Sequence, residues 1–268
     1  MKIFRTLFIV TLTVVFASCS CVTATRTNGH KACKEMNDIA FQKVDISSFF
    51  KVKFSQADNY KVKVAISERF EPYLISEIKD GVLVIGIDNS EKIFRDINHG
   101  DTALVEISAP SFKEIELSGA VKMSLESNWQ LEHAMVDLSG ASKLYGGSIH
   151  AKSFSIEQSG ASSFDVAIAT ENMNINNSGA SKLKMKSFDQ YIGSTLIVNV
   201  SGATKLDLKE LPFEIVKVEA SGASKTTVNP VKLLNADVSG ASSVRYVDSS
   251  KDLQKNIETS GAASVSKL

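Results

Sequence analysis

The sequence predicts an all-β protein: a single-stranded parallel β-helix, a right-handed β-solenoid of about 20 residues per coil, capped by an N-terminal β-strand region. Three observations predict it. First, the triplet Ser-Gly-Ala begins at Ser118, Ser139, Ser159, Ser178, Ser201, Ser221, Ser239 and Ser260, with 18 to 23 residues between successive serines. Second, apolar rows stand at fixed distances from the serine. Three residues before it come Ile115, Val136, Ile156, Ile175, Val198, Val218, Ala236 and Ile257, and five after it Met123, Leu144, Phe164, Leu183, Leu206, Thr226, Val244 and Val265. Third, polar residues alternate with these rows at the two-residue period of a strand, and no unit holds a helix-length run of 3.6 periodicity. A unit this short cannot close a core by itself, whereas stacked units bury continuous rows of side chains.

The triplet reads as the corner of each coil. Gly119, Gly140, Gly160, Gly179, Gly202, Gly222, Gly240 and Gly261 supply the positive φ that a tight turn needs. The alanine is expected to point inward as a small methyl where two walls converge, and the stacked serine hydroxyls to satisfy backbone groups at the bend. Recurrence in every coil argues for architecture, since catalysis needs one serine and a solenoid needs every corner.

In chain order, residues 1–18 read as an export signal. Lys2 and Arg5 precede the apolar stretch Thr6 to Ala17, which is shorter than the roughly 20 residues that span a bilayer. Phe16-Ala17-Ser18-Cys19 looks like a bacterial lipobox, which makes Cys19 the lipidated mature N-terminus and places the protein on a membrane, the outer membrane, through its lipid. Residues 19–37 read as a polar tether. It carries Cys21 and Cys33, which either form a local disulfide or remain two thiols. Residues 38–103 form the N-terminal β region: "FKVKFSQ", "YKVKVAIS" and "GVLVIGID" alternate or are apolar, and Asp80-Gly81 is a two-residue hairpin turn. "ERFEPYLI" is suited to one helical turn over the open end of the core, and 88–101 is the one long irregular loop. The array occupies 104–268.

Equal numbers of basic and acidic residues, 30 each, give no global field for nucleic acid, and scattered histidines with few cysteines give no metal site or cofactor. Two residues before each serine stand Glu116, Asp137, Glu157, Asn176, Asn199, Glu219, Asp237 and Glu258; four after it stand Lys122, Lys143, Lys182, Lys205 and Lys225, with serine in the other units. Such stripes either bind a polysaccharide or cations, or form a solvated face whose opposite charges limit repulsion, at under about 1 kcal/mol per pair. The units vary too little in length to build a catalytic cleft. Only the loop 88–101, with Asp96, His99 and Asp101, offers acid–base or ligand groups, and Asn, Gly and Asp make ordinary loops too. Asp101-Thr102-Ala103 resembles a short O-glycosylation acceptor at Thr102. The C-terminal coil has no evident cap, so it is expected to stack on another copy or a partner.

The order of elements, "FQKVDISSFFKVKFSQADNYKVKVAISERFEPYLISEIKDGVLVIGID", then "VEISAPSFKEIELSGA", then repeats of acid-x-Ser-Gly-Ala, resembles the bacterial GIN domain family, the head domain of autotransporter adhesins, over about residues 40 to 268. That resemblance implies an exported, often lipid-anchored protein with a parallel β-helix body and no enzyme activity. The expected function is a non-enzymatic envelope module for binding, adhesion or scaffolding, with a glycan or protein ligand. The alternatives are a polysaccharide-active β-helix enzyme and a periplasmic envelope-maintenance protein.

Overall fold

A computed structural model describes residues 23–27, 31–88, 101–187, 189–248 and 250–268. The signal peptide, Cys19, Cys21, Asp96 and His99 lie outside these residues. Twenty strands follow: β1 Thr23–Thr27, β2 Lys31–Asn37, β3 Lys43–Ile46, β4 Lys51–Gln56, β5 Lys61–Ser67, β6 Leu74–Lys79, β7 Val82–Ile87, β8 Ala103–Ala109, β9 Glu114–Leu117, β10 Lys122–Leu125, β11 Asn128–Leu138, β12 Lys143–Gln158, β13 Ser163–Asn177, β14 Lys182–Lys186, β15 Gly193–Val200, β16 Lys205–Ala220, β17 Lys225–Val238, β18 Ser243–Tyr246, β19 Gln254–Thr259 and β20 Ser264–Lys267. The expected helical turn is a 3₁₀ helix, Glu68–Tyr73, whose buried Phe70 packs edge-on against Phe49. Among the described residues no helix is long and apolar enough to cross a membrane.

From β9 onward every pairing is parallel and joins one coil to the next, as a β-solenoid requires. The strand entering each corner and the strand leaving it belong to different walls. The entering wall runs β7, β3, β9, β11 and onward, and the leaving wall runs β8, β4, β10, β12 and onward. At the N-terminal end the ladder changes character. β6 and β7 form the Asp80-Gly81 hairpin, both turn residues having positive φ, and β1, β2, β5 and β8 pair antiparallel in that order. Residues 31–37 are therefore not part of a tether. Lys31–Asn37 is a strand because Ala32, Cys33 and Met36 have apolar surface to bury, and Cys33 is a free, buried thiol there.

The rows read from the sequence are the core. Ile115 through Ala236 in the entering wall and Met123 through Val244 in the leaving wall are buried, and only the last coil departs, with Ile257 41% exposed. A cluster of Phe54, Phe112 and Trp129, with ring centroids 4.6 to 5.5 Å apart, fills the core near the N-terminal end. Burial of such rows is the main stabilising term, at about 25 cal/mol per Å² of apolar area removed from water.

The corners differ from expectation in two respects. Their alanines, Ala141, Ala161, Ala180, Ala203, Ala223 and Ala241, are exposed, and the inward slot belongs to the next residue: Ser142, Ser162, Ser181, Thr204, Ser224 and Ser242. Two-residue alternation restarts after the turn, so the third and fifth residues beyond the serine share the inner face and the alanine is turned out. The corner is held by its backbone, as in Ala203 N–H donating to the Gly179 carbonyl at 2.8 Å and Ser201 N–H to the Asn177 carbonyl at 2.9 Å. Among the described corner serines, only Ser178 and Ser221 use their hydroxyls on backbone carbonyls, at 3.4 and 3.5 Å. Gly202 has φ +77°, and a Cβ placed there would lie 2.5 Å from the Gly179 carbonyl oxygen.

One further corner carries no Ser-Gly-Ala. Ser47-Ser48-Phe49 precedes β4 in register with Ser118-Gly119-Ala120: Ile46 pairs with Leu117, Lys51 pairs with Lys122, and Ala120 N–H donates to the Ser48 carbonyl at 2.6 Å. Ser48 has φ +78°.

Candidate functional site

The polar ladder of the entering wall is continuous. Asp45, Glu116, Asp137, Glu157, Asn176, Asn199, Glu219, Asp237 and Glu258 stand in register, one per coil, so the hidden first corner adds Asp45 to the eight rungs read from the sequence. From Asp45 to Asp237, alternation sends these side chains outward, between inward Val, Ile or Ala at the preceding position and Ile, Leu, Gln, Asn, Val or Ala at the following one. Where the wall meets the projecting corner, a groove of about 600 Å³ runs along the rod. It is lined by the rungs from Asp137 to Asp237 and by Ser159, Ser178, Ser201, Ser221 and Ser239. Six rungs at a strand spacing of about 4.8 Å give a length of about 24 Å.

The middle of the groove is braced from beneath. Asn199 Nδ2 donates to Asn176 Oδ1 at 2.9 Å, which aligns the two amide rungs. Below them, buried Asn177 Nδ2 donates to Gln158 Oε1 at 3.2 Å, Gln158 Nε2 to Ser162 Oγ at 3.3 Å, and Ser181 Oγ to Asn177 Oδ1. These buried amides and hydroxyls satisfy one another, so the floor is a fixed polar network. Carboxylates offer acceptors only, whereas amides and hydroxyls offer both donors and acceptors. That mixture, repeated along a line, suits a ligand rich in hydroxyl groups.

Electrostatics vary along the ladder. At its N-terminal end Lys43 Nζ sits 2.9 Å from Glu114 and 2.8 Å from Glu116, and these two hydrogen bonds raise its pKa. Burial, followed by the charge of Glu116, pushes the Asp45 carboxyl up; burial, then Glu116 and Glu157, does the same to Asp137. Toward the middle, Asn176 and Asn199 interrupt the like charges. The lysines beyond the corner make no ion pair with the ladder among the described residues, so the two stripes do not neutralise each other across the corner. Nor do three His, Cys, Asp or Glu residues come together to hold a metal ion among the described residues.

Of the loop candidates, Asp101 pairs with Arg69, whose guanidinium lies 4.5 Å from the Phe70 ring centroid. Thr102 N–H donates to Ser67 Oγ at 2.9 Å, which fixes the start of β8. A second concavity, of about 570 Å³, was not read from the sequence. It is lined by Gln130, Glu132, His150, Lys152, Glu171 and Tyr191, with the His150 and Tyr191 rings 6.0 Å apart. Tyr191 arrives on the extra residues between Ser178 and Ser201, the longest interval of the array, and that interval is the signal that marks it.

No curated protein sequence matches the chain. Solved structures share the fold. One from Parabacteroides merdae ATCC 43184, described as a "putative adhesin", superposes with a TM-score of 0.79 at 15% identity, covering 90% of this chain and 97% of that one. One from Parabacteroides distasonis ATCC 8503, described as a "putative lipid binding protein", superposes at 0.75 and 16% identity, covering 90% and 98%. A "putative adhesin" from Bacteroides fragilis NCTC 9343 superposes at 0.62 and 15% identity, covering 89% and 97%. The family model described as "Putative auto-transporter adhesin, head GIN domain" matches residues 40–249. With the solenoid and its repeated corners, that match places the chain in the GIN domain family of adhesin head domains.

Proposed function

We propose that this protein is a non-enzymatic, adhesion-like binding module of the cell envelope that holds an extended, hydroxyl-rich glycan lengthwise in the groove between Asp137 and Asp237. The observation that carries this reading is the repetition of the groove itself: one carboxylate or amide and one serine per coil, at a fixed axial interval. A repeating receptor matches a repeating ligand, and each added sugar meets the same chemistry as the last. Family membership supports adhesion over turnover. The N-terminal sequence supports export and lipid anchoring at Cys19, with the polypeptide carried on the outer membrane.

Immobilised neutral polysaccharides such as dextran and arabinoxylan test the reading directly. Wild-type protein is expected to bind at least one of them, and the triple variant Glu157→Gln, Asn176→Ala, Glu219→Gln to lose that binding while keeping its melting temperature. Unchanged binding by the folded triple variant would move the ligand off the groove. Palmitate labelling that is lost in Cys19→Ala, followed by protease shaving of intact cells, tests the anchor and the exposed face.

A further inference from the structure

The leaving wall carries a feature that the groove does not explain. Lys51, Lys122, Lys143, Lys182, Lys205 and Lys225 stand in one file just beyond the corners, in register from β4 to β17, with Ser163 as the single interruption. Five of the six are exposed and Lys143 is half-buried. Like charges directly opposite one another on neighbouring strands repel. Among the described residues none of the six is in an ion pair; Lys143 alone has a partner, the exposed ring of Tyr145, 4.9 Å from its ammonium. The next outward file, two residues further along each strand, is mixed: in order it runs Lys53, Ser124, Tyr145, Asp165, Lys184, Asp207, Thr227 and Arg245. The unbroken run of positive charge therefore lies in the first file, and carboxylates interrupt the second.

We propose that this lysine file is a second binding site, specific for a linear acidic polysaccharide laid parallel to the rod axis. A polymer with one carboxylate or sulfate per sugar would place an anion near each ammonium and relieve the repulsion within the file. Release of the polymer's counterions would then drive association. Tyr145 adds an aromatic face beside Lys143, of the kind that packs against a sugar ring. A planar anionic membrane is the poorer match. It would bring Asp165 and Asp207 toward its own negative charge together with the cations, whereas a linear polymer follows the lysine file alone.

The test measures binding of dextran sulfate, polygalacturonate and uncharged dextran to wild-type protein and to the quadruple variant Lys122→Gln, Lys182→Gln, Lys205→Gln, Lys225→Gln across a salt series. The expected result is wild-type affinity for an acidic polymer that falls with salt, and a loss of about tenfold or more in the variant with a shallower log–log salt slope. Because the substitutions remove repulsion, the variant is expected to melt at the wild-type temperature or above. The groove variant Glu157→Gln, Asn176→Ala, Glu219→Gln is expected to bind the acidic polymers as well as wild type, so this site and the groove can fail separately. Equal affinity of wild type and quadruple variant would overturn the assignment. So would preferential binding to phosphatidylglycerol vesicles over phosphatidylcholine with no binding of either acidic polymer, or tighter binding of duplex DNA than of either polysaccharide.

Discussion

Two corners of the same rod, Ser47-Ser48-Phe49 and Ser201-Gly202-Ala203, occupy the same position in their coils and the same region of backbone conformation, with φ +78° at Ser48 and +77° at Gly202. They differ in what lies beneath. At Gly202 the Cβ direction points into the backbone of the preceding corner, 2.5 Å from the Gly179 carbonyl oxygen. At Ser48 the chain beneath is the end of β7, and Ser48 Oγ accepts a hydrogen bond from Ile87 N–H at 3.1 Å. Glycine is thus demanded by stacking as much as by φ. Ser48 escapes the demand because Ile87, at the end of β7, meets its side chain with an N–H donor rather than a corner carbonyl.

The largest effect expected from this comparison is at Gly202. Gly202→Ser is expected to destabilise the rod by about 3–5 kcal/mol, since it combines positive φ with a backbone collision. Ser48→Gly is expected to change stability by less than about 1 kcal/mol, because one hydrogen bond is lost and backbone strain is relieved. Thermal unfolding of the two variants side by side checks the pair. Equal costs would mean that φ alone governs the corner.

Next in size is the inward slot beside the corner. Thr204 is buried and its Oγ1 has no hydrogen-bond partner, so Thr204→Val, which keeps the shape and removes the polar atom, is expected to stabilise by about 1 kcal/mol. Chemical denaturation reads this as a higher midpoint at constant slope. A loss of stability would show that the hydroxyl is satisfied in solution.

A smaller, pH-dependent effect separates the two ends of the ladder. The folded-state pKa values of Asp45 and Asp137 lie above the ordinary 3.8, so the folded protein holds these protons more tightly than the unfolded chain. Their charged forms weaken the fold at neutral pH, and that penalty is relieved as pH falls through the raised folded values toward 3.8. Asp137→Asn is expected to raise the melting temperature at pH 7 and to flatten its rise on acidification. An unchanged pH profile would remove the account of the acidic end by burial and like charge. The smallest effect is at Lys205, in the exposed file: Lys205→Ala is expected to change stability by no more than about 0.5 kcal/mol.

The same comparison explains how far the sequence could be read. Stacking on a preceding corner forces glycine in all eight Ser-Gly-Ala units, and a forced residue repeats; hence the period, the walls and eight rungs of the ladder were visible. Ser48 was hidden because the constraint that makes a corner recognisable is absent there, and Asp45 and Lys51, the first members of both charged files, were hidden with it. The direction of Ala203 was misjudged because a small residue next to a glycine fits either face; only the restart of alternation at Thr204 decides. Lys31–Asn37 looked like a tether because its burial depends on long-range pairing with Lys61–Ser67, which local pattern does not encode. Asp96 and His99 lie outside the described residues, and Asp101 is engaged with Arg69.

The central claim, that a ligand lies lengthwise across successive coils, is tested most directly by affinity as a function of oligosaccharide length. Calorimetric titration with a size-fractionated series of whichever neutral glycan is bound should show affinity rising with each added sugar until the chain spans the six rungs from Asp137 to Asp237, and no further gain beyond that length. Affinity already complete for a mono- or disaccharide would contradict the claim and place recognition within a single coil.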